Sequence, residues 1–463
     1  MGKSGQTGNI TDTLAAFVAD LSFSTLPEEV VERTKLLILD VSGITVRARY
    51  DAESTPSMLR AVKRLGLVDG ACSVIGDSDS YAPPAAALLN GTLAHSLDFD
   101  DTHAEGSIHS SAPIVPAALA AAEIAGSSGK ELITAIVAGY EIQLRLSMAL
   151  DPAEHYGRGF HPTATCGIFG ASAAAGKLLG LDKKGLVSAF GIALSQAAGS
   201  MQFLANGAWT KRSHVGQAAQ NGLICAMLAF EGFKGPVKAF EGKAGFLKSY
   251  SPKPSFLRAI SGLYSDWETM RLAVKPYPSC RYSHAAMDAL IDLREEHSID
   301  PAEIQDVVIG LPQVGINLIG DPIEVKKKPK SVVDGQFSMP FCAAVVLREG
   351  KMEWDDYSTH LADKTTLDLC SRVDCTLDPD AESAFPKNMS GKAKVRTSNR
   401  IYEKFVNIPK GEPENFLSVS EFCEKFHALA GPYLGEATVQ LTTQILALEN
   451  VNDIRSVVDL ARP

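Results

Sequence analysis

The sequence predicts a mainly α protein: a large, discontinuous all-helical domain, residues 1–265 and 400–463, plus a smaller α+β domain, residues 266–399. Three observations carry this reading. Ala and Leu recur at helical spacing through the first half, β-branched runs enter near Trp267, and helical patterning returns after Pro409.

Taken in order, Pro27 with Glu28 and Glu29 opens a helix running to about Val46, and the Pro83–Pro84 pair opens another running to about Leu97. Between them Cys72–Gly76 is at most a short strand. Helices follow in SSAPIVPAALAAAEIAG, GKELITAIVAGYEIQLRLSMAL, TATCGIFGASAAAGKLLGL, KKGLVSAFGIALSQAAG and VGQAAQNGLICAMLAFEGF, several closed by a terminal Gly. Their small faces allow close helix packing. In the second domain WETMRLAVKPYP and EIQDVVIGLP read as strands flanking the helix YSHAAMDALIDLREEH. KSVVDGQFSMPFCAAVVLREG reads as one helix, and KAKVRTSNRIYEKFVNIP as a hairpin turning at Ser398–Asn399. The helical tail is expected to pack back on the first domain.

With 463 residues, 45% hydrophobic and 21% charged, the chain has the composition of a folded globular protein. A net charge of −10 opposes nonspecific roles on nucleic acid or anionic membrane. Eight scattered cysteines, with no C-x-x-C pair, read as reduced thiols in a cytoplasmic compartment, and MGKSGQTGNITDTLAAF lacks signal-peptide or transit-peptide character. The charge-free stretch 185–210 is long enough to span a bilayer, but Ser188, Gln196, Gln202 and Asn206 interrupt it, so a buried helix followed by a loop is expected.

Four polar clusters stand out. His95-Ser-Leu-Asp98-Phe-Asp100-Asp101-Thr102-His103-Ala-Glu105, followed by His109, closes an apolar helix; continued helix would put Asp98 and Thr102 on one face. Carboxylates and imidazoles this dense near apolar walls perturb one another, the usual condition for acid/base work. In GRGFHPTATCG, His161 at a helix N-terminus would sit where an anion is favoured. In WTKRSH, Lys211, Arg212 and His214 suit carboxylate binding. KPYPSCRYSH, carrying His284, lies at the domain junction, where clefts form. The first cluster also fits the D-x-D-x-T of Mg²⁺-dependent phosphatases through Asp98 and Asp100, which needs a β-strand before it, and the acidic metal motif of terpene cyclases.

Together, DFDDTHAEGSIHSSAPIVPAALAAAE, GRGFHPTATCGIFGASAAAGKLLGL, GSMQFLANGAWTKRSHVGQAAQNG, KPYPSCRYSHAAMDAL and PKGEPENFLSVSEFCEKFHALAGPYLG resemble the MmgE/PrpD family across essentially the whole chain. That family includes 2-methylcitrate dehydratase, cis-aconitate decarboxylase and iminodisuccinate epimerase. The resemblance implies an all-helical core domain, an α+β lid domain, a homodimer, and an active site without metal or cofactor that takes a small anionic carboxylate. It puts Asp98, Thr102, His109, His161, Lys211 and His284 in the pocket, with Arg212 and His214 as further candidates. Lys211, helped by Arg212 and His284, would clamp substrate carboxylate. His109 and His161 would pass protons, Asp98 would orient or charge an imidazole, and Thr102 would bond substrate. Phe341, where the animal decarboxylase carries tyrosine, implies a changed pocket lining. The expected reaction is lyase chemistry beside a carboxylate, hydration or dehydration first, with decarboxylation and epimerisation as alternatives. A Mg²⁺-dependent phosphatase is the reading from a different class, and a purely structural or binding role is the third.

Overall fold

The computed structural model describes residues 9–463 and divides them into two compact units: residues 9–273 with Val419–Pro463, and Val274–Ser418. The domain boundaries drawn at 265/266 and 399/400 therefore move. The segment 400–418 goes with the second unit because its strand pairs there, and 266–273 stays with the first.

The first unit is helical. Its elements are α1 (Ile10–Asp20), α2 (Glu28–Asp51), α3 (Thr55–Arg64), a small antiparallel pair β1 (Val68–Ser73) and β2 (Ser80–Tyr81), and α4 (Pro83–Ala94). After β3 (Thr102–His103) come α5 (Ser111–Ala125), α6 (Gly129–Leu150), α7 (Pro152–Gly157), α8 (Pro162–Leu178), α9 (Lys183–Leu194), α10 (Thr210–Phe230) and α11 (Phe246–Tyr250). A two-residue strand, β4 (Leu272–Ala273), pairs with β3, so WETMRLAVKPYP contributes no more strand than this. The helices Val419–Leu434, Ala437–Leu446 and Arg455–Asp459 complete the unit, the first of them packed on α2.

Local signals account for the helix ends. Ser128 and Glu131 form a reciprocal capping box at the start of α6, and Gly126 takes the left-handed conformation, φ 65°, that ends α5. The small residues do what their spacing predicts: a methyl group on Gly216 of α10 would run into Leu88 O and Thr92 Oγ1 of α4. These two helices touch backbone to backbone, which fixes α10 against the turn that leaves α4. The stretch 185–210 resolves into most of α9 followed by a loop. Among the described residues one helix, α6, is long and apolar enough to cross a membrane, and it is wholly enclosed by the rest of the chain.

The second unit carries a four-stranded sheet, order β6-β5-β7-β8, made of β5 (Ile304–Leu311), β6 (Val373–Leu377), β7 (Gly391–Thr397) and β8 (Ile401–Val406). β5 and β6 run parallel and the other neighbours antiparallel. The β7–β8 hairpin turns at Ser398–Asn399, closed by the Thr397 amide donating to Arg400 O. The helix α12 (His284–His297) packs on β7 and β8. The segment expected as one helix, 330–350, breaks in two, Val332–Gln336 and Met339–Glu349, because Ser338 turns out of the helix and accepts the Phe341 amide as a new cap. Phe341 is fully buried in this unit's core, stacked on Tyr357.

All eight cysteines are free thiols; burial pushes Cys72, Cys166, Cys225, Cys342, Cys370 and Cys375 up to about 12, leaving them unreactive.

Candidate active site

α4 stops at Ala94, and His95 caps it. The chain then turns sharply through Asp98, which adopts φ 53°. Asp is one of the few side-chain-bearing residues that tolerate this conformation. The turn ends the helix that was expected to align Asp98 with Thr102; Thr102 instead opens β3, opposite Ala273. It also removes the strand that a phosphatase nucleophile requires, since a helix and not a strand leads into Asp98.

The turn sorts the three aspartates. Asp98 forms an ion pair with Lys211 Nζ at 2.8 Å, the lysine lying in the first turn of α10 rather than ahead of it. Asp100 points inward and is fully buried. Its Oδ2 lies 2.7 Å from His95 Nδ1 and 3.3 Å from His109 Nδ1. Only the His95 contact is aligned as a hydrogen bond. Asp101 is occupied at the start of α5, where it accepts from the Ser110 and Ser111 amides and from Ser111 Oγ. The carboxylate beside the imidazoles is therefore Asp100, and Asp98 meets the ammonium instead. Asp101 is spent on the helix end and is lost to any acidic metal motif.

His109 is set by its backbone: its amide donates to Thr163 Oγ1 at 3.2 Å, and Gln143 Nε2 bridges His109 O and Thr163 O. His161 is the N-cap residue of α8, held by its amide donating to Gly199 O at 3.0 Å. The imidazoles form a row. His95 meets His109 edge-on at 4.7 Å between ring centres, stacks toward His161 at 5.9 Å, and His161 lies 5.9 Å from His214. Phe203 closes one side, 6.0 Å from His161 and 6.1 Å from His214. Arg212 turns away to Ser54 Oγ, so of the two neighbouring cations only Lys211 joins the group.

Burial, the largest influence, lowers His95 to about 4 although Asp100 pulls it back up. Burial, then the neighbouring His95, Lys211, His109 and His214, hold His161 well below the ordinary imidazole value. For Asp100 the penalty of burial is outweighed by His109 and His95, so its carboxyl sits well below the usual range and is ionised. For Lys211 burial is outweighed by the charge and hydrogen bond of Asp98, and its ammonium is held. The site thus holds an ammonium at Lys211, a carboxylate at Asp100 and neutral imidazoles at His95 and His161. Several polar atoms in it, His95 Nε2, His161 Nδ1, His214 Nδ1, Asp100 Oδ1 and Thr102 Oγ1, are buried with no hydrogen-bond partner among the described residues. Buried groups left open in this way mark a place where a polar ligand completes the bonding.

His95, Asp100 and His109 present ligand atoms within 4.8 Å of one another, a set that could hold a metal ion. Two of the three, His95 and Asp100, already share a hydrogen bond at 2.7 Å. His103, from the same cluster, is structural: its Nδ1 accepts the Gly106 amide and it lies beside Glu268. Glu105 pairs at the surface with Arg258. His284 belongs to the second unit, buried at the start of α12 with its ring edge-on to Tyr277 and its Nε2 3.3 Å from Ser279 O. Of the residues expected in one pocket, Asp98, Thr102, His109, His161, Lys211, Arg212 and His214 lie in the first unit and His284 in the second. Sequence reasoning named His95 and Asp100 within the first polar cluster but did not choose His95 as a site residue, and gave Asp100 a specific part only in the phosphatase and metal-motif readings. The signal available was spacing: residues 95 and 100 bracket a turn short enough to fold one back on the other.

The first unit's helical scaffold thus gathers imidazoles, a lysine and an inward carboxylate in one patch. The chain belongs to the MmgE/PrpD family: the family's N-terminal domain model matches residues 12–258 and its C-terminal domain model residues 277–449. It is similar to the cis-aconitate decarboxylase-like protein oryM of Aspergillus oryzae, 28% identical over 98% of this chain and 97% of the relative. It is similar also to the cis-aconitate decarboxylases of Aspergillus terreus, 27% identical over 97% of this chain and 95% of the relative, and of Homo sapiens, 28% over 96% and 93%. The chain is accordingly a lyase.

Proposed function

We propose that the enzyme decarboxylates a small unsaturated tricarboxylate of the cis-aconitate type. The observation that carries this is the pair of neutral imidazoles, His95 and His161, beside the Lys211–Asp98 pair, with His161 Nδ1 and Thr102 Oγ1 left unbonded. Hydration or dehydration was the first expectation from the sequence; the relatives' names favour decarboxylation instead.

In this reading Lys211 and Thr102 bind substrate carboxylate. The C–C bond to one carboxylate breaks and releases CO₂, its electron pair moves through the neighbouring double bond, and a proton from an imidazole is delivered to the far carbon. The charge developing on the substrate is met by the ammonium that Asp98 holds in place. Neutral imidazoles suit a multiply charged substrate. Each carboxylate that enters favours protonation of the nearest ring, so the acid is generated by binding. Asp100 is positioned to stabilise an imidazolium at His109, and His161 faces it across His95. No metal or cofactor enters the scheme, and two identical chains form the assembly.

The test is ¹H NMR in D₂O with EDTA and separate samples of cis-aconitate, 2-methylcitrate, citrate and iminodisuccinate. Loss of CO₂ with deuterium in the product of cis-aconitate alone is expected. Turnover of 2-methylcitrate to an alkene, or deuterium exchange in iminodisuccinate, would transfer the reading to dehydration or epimerisation. Loss of all activity with EDTA would make the His95–Asp100–His109 group a metal centre.

A further inference from the structure

The turn that carries Asp98 and Asp100 is backed by a charge that arrives from the other end of the sequence. Lys425, in the helix Val419–Leu434, places its Nζ 2.6 Å from Asp40 Oδ1 of α2 and 3.7 Å from the centre of the Phe99 ring. All three are buried: the side chains of Lys425 and Asp40 are 8% and 2% exposed and Phe99 is 2% exposed. Phe99 lies between the aspartate that holds Lys211 and the aspartate that holds His95, so anything that fixes its ring fixes both carboxylates. A left-handed residue such as Asp98 persists only where its surroundings over-determine it. The cation on the ring face is such a constraint.

We infer that Lys425 is a positioning residue for this reaction, seating the Asp98–Phe99–Asp100 turn from behind and balancing Asp40 so that Asp100 faces the imidazoles as an anion. Asp40 and Asp100 are two buried carboxylates close enough to oppose each other's charge, and Lys425 is the cation paired with the rear one. The groups facing Asp100 are His95, His109 and Asp101 from its own segment and Asp40 from α2. Lys211 acts from α10. The inference rests on the reading of Asp98 and Asp100 as part of the active site.

The experiment compares purified Asp40→Leu/Lys425→Met, Phe99→Leu, Lys425→Arg and Asp100→Asn with the unaltered enzyme, measuring thermal unfolding, kcat, KM and the pH profile of kcat/KM. The double variant removes the pair without leaving a lone buried charge. It is expected to fold, to lose at least tenfold in kcat with KM changed less, and to move its pH profile; Lys425→Arg, which keeps the cation, is expected to restore most of kcat. Phe99→Leu, which keeps the pair and removes the ring face, is expected to lose severalfold in kcat with the profile moved the same way. A folded double variant, or a folded Phe99→Leu, with unaltered kcat and profile while Asp100→Asn is inactive overturns the positioning role and leaves the site standing. Full activity in Asp100→Asn overturns the site and this inference with it.

Discussion

Lys211 and Asp98 meet at 2.8 Å across the space between α10 and the turn that leaves α4. The pair is partly exposed, which distinguishes it from a structural bridge: an incoming carboxylate can share the ammonium while Asp98 keeps it charged. Lys211→Met is therefore expected to lose at least a hundredfold in kcat/KM, in line with the roughly 3–4 kcal/mol that one well-placed stabilising donor supplies. Steady-state kinetics with cis-aconitate checks this, and wild-type turnover would remove Lys211 from the site.

Asp100 is expected to matter more than Asp98 for proton transfer. Asp100→Asn keeps the shape but not the charge beside His95 and His109, and a loss on the order of 10²–10⁴ in kcat is expected, the range of a positioned acid/base group. His95 acts on it through one hydrogen bond. His95→Asn retains a donor near the Nδ1 position and should keep more activity than His95→Phe, whose ring fills the space without a donor. Equal kcat for the two would show that the bond does not matter.

Stability should respond to pH through Glu123. Burial raises its carboxyl to about 7 against 4.5 in the unfolded chain, despite two bonds from the Ser73 amide. With the folded value raised, its favourable share is fully present below 4.5 and is lost as pH rises through 7. Glu123→Gln should gain on the unaltered protein by up to about 3 kcal/mol over that interval. His95 works in the opposite sense. Its folded value near 4 lies below the ordinary 6.5, so its share is whole above 6.5 and is lost as pH falls toward 4. Urea unfolding between pH 4.5 and 8 separates the two; parallel curves for the wild type and Glu123→Gln would refute the assignment.

The contact of α4 with α10 leaves no room at Gly216. Gly216→Ala is expected to lower stability by about 1–3 kcal/mol, the usual effect of overfilling a core, and to lower kcat as well, because α10 carries Lys211. Thermal unfolding and kinetics on one preparation check both. A change in stability alone would mean that α10 yields without moving the lysine.

Much of the helical scaffold is legible because its signals are local: the Pro83–Pro84 start of α4, the glycine that ends α5, the Ser398–Asn399 turn and the placing of His161 and His284 at helix starts all follow from residue type and spacing. The site was half legible. Residues 95–105 look alike as a string of acids and imidazoles, and which of them turns inward depends on one backbone angle at Asp98. Asp100 and Asp101 are equally acidic in sequence, yet one faces imidazoles and the other a helix end, a difference made by the position of α5. The break at Ser338 was missed because a serine within a helical pattern signals a new cap only when the chain before it has already turned away.

The Val419–Leu434 helix has one more consequence, in the order of events at the ribosome. Synthesis delivers α2 and the Asp98–Asp100 turn early, the whole of Val274–Ser418 afterwards, and only then the helix that lies on α2. Until residues beyond Val419 emerge, Asp40 has no counter-ion from that helix and the Phe99 ring no cation on its face. The first unit is thus without this helix, and the turn without the cation behind it, until Val274–Ser418 has been made.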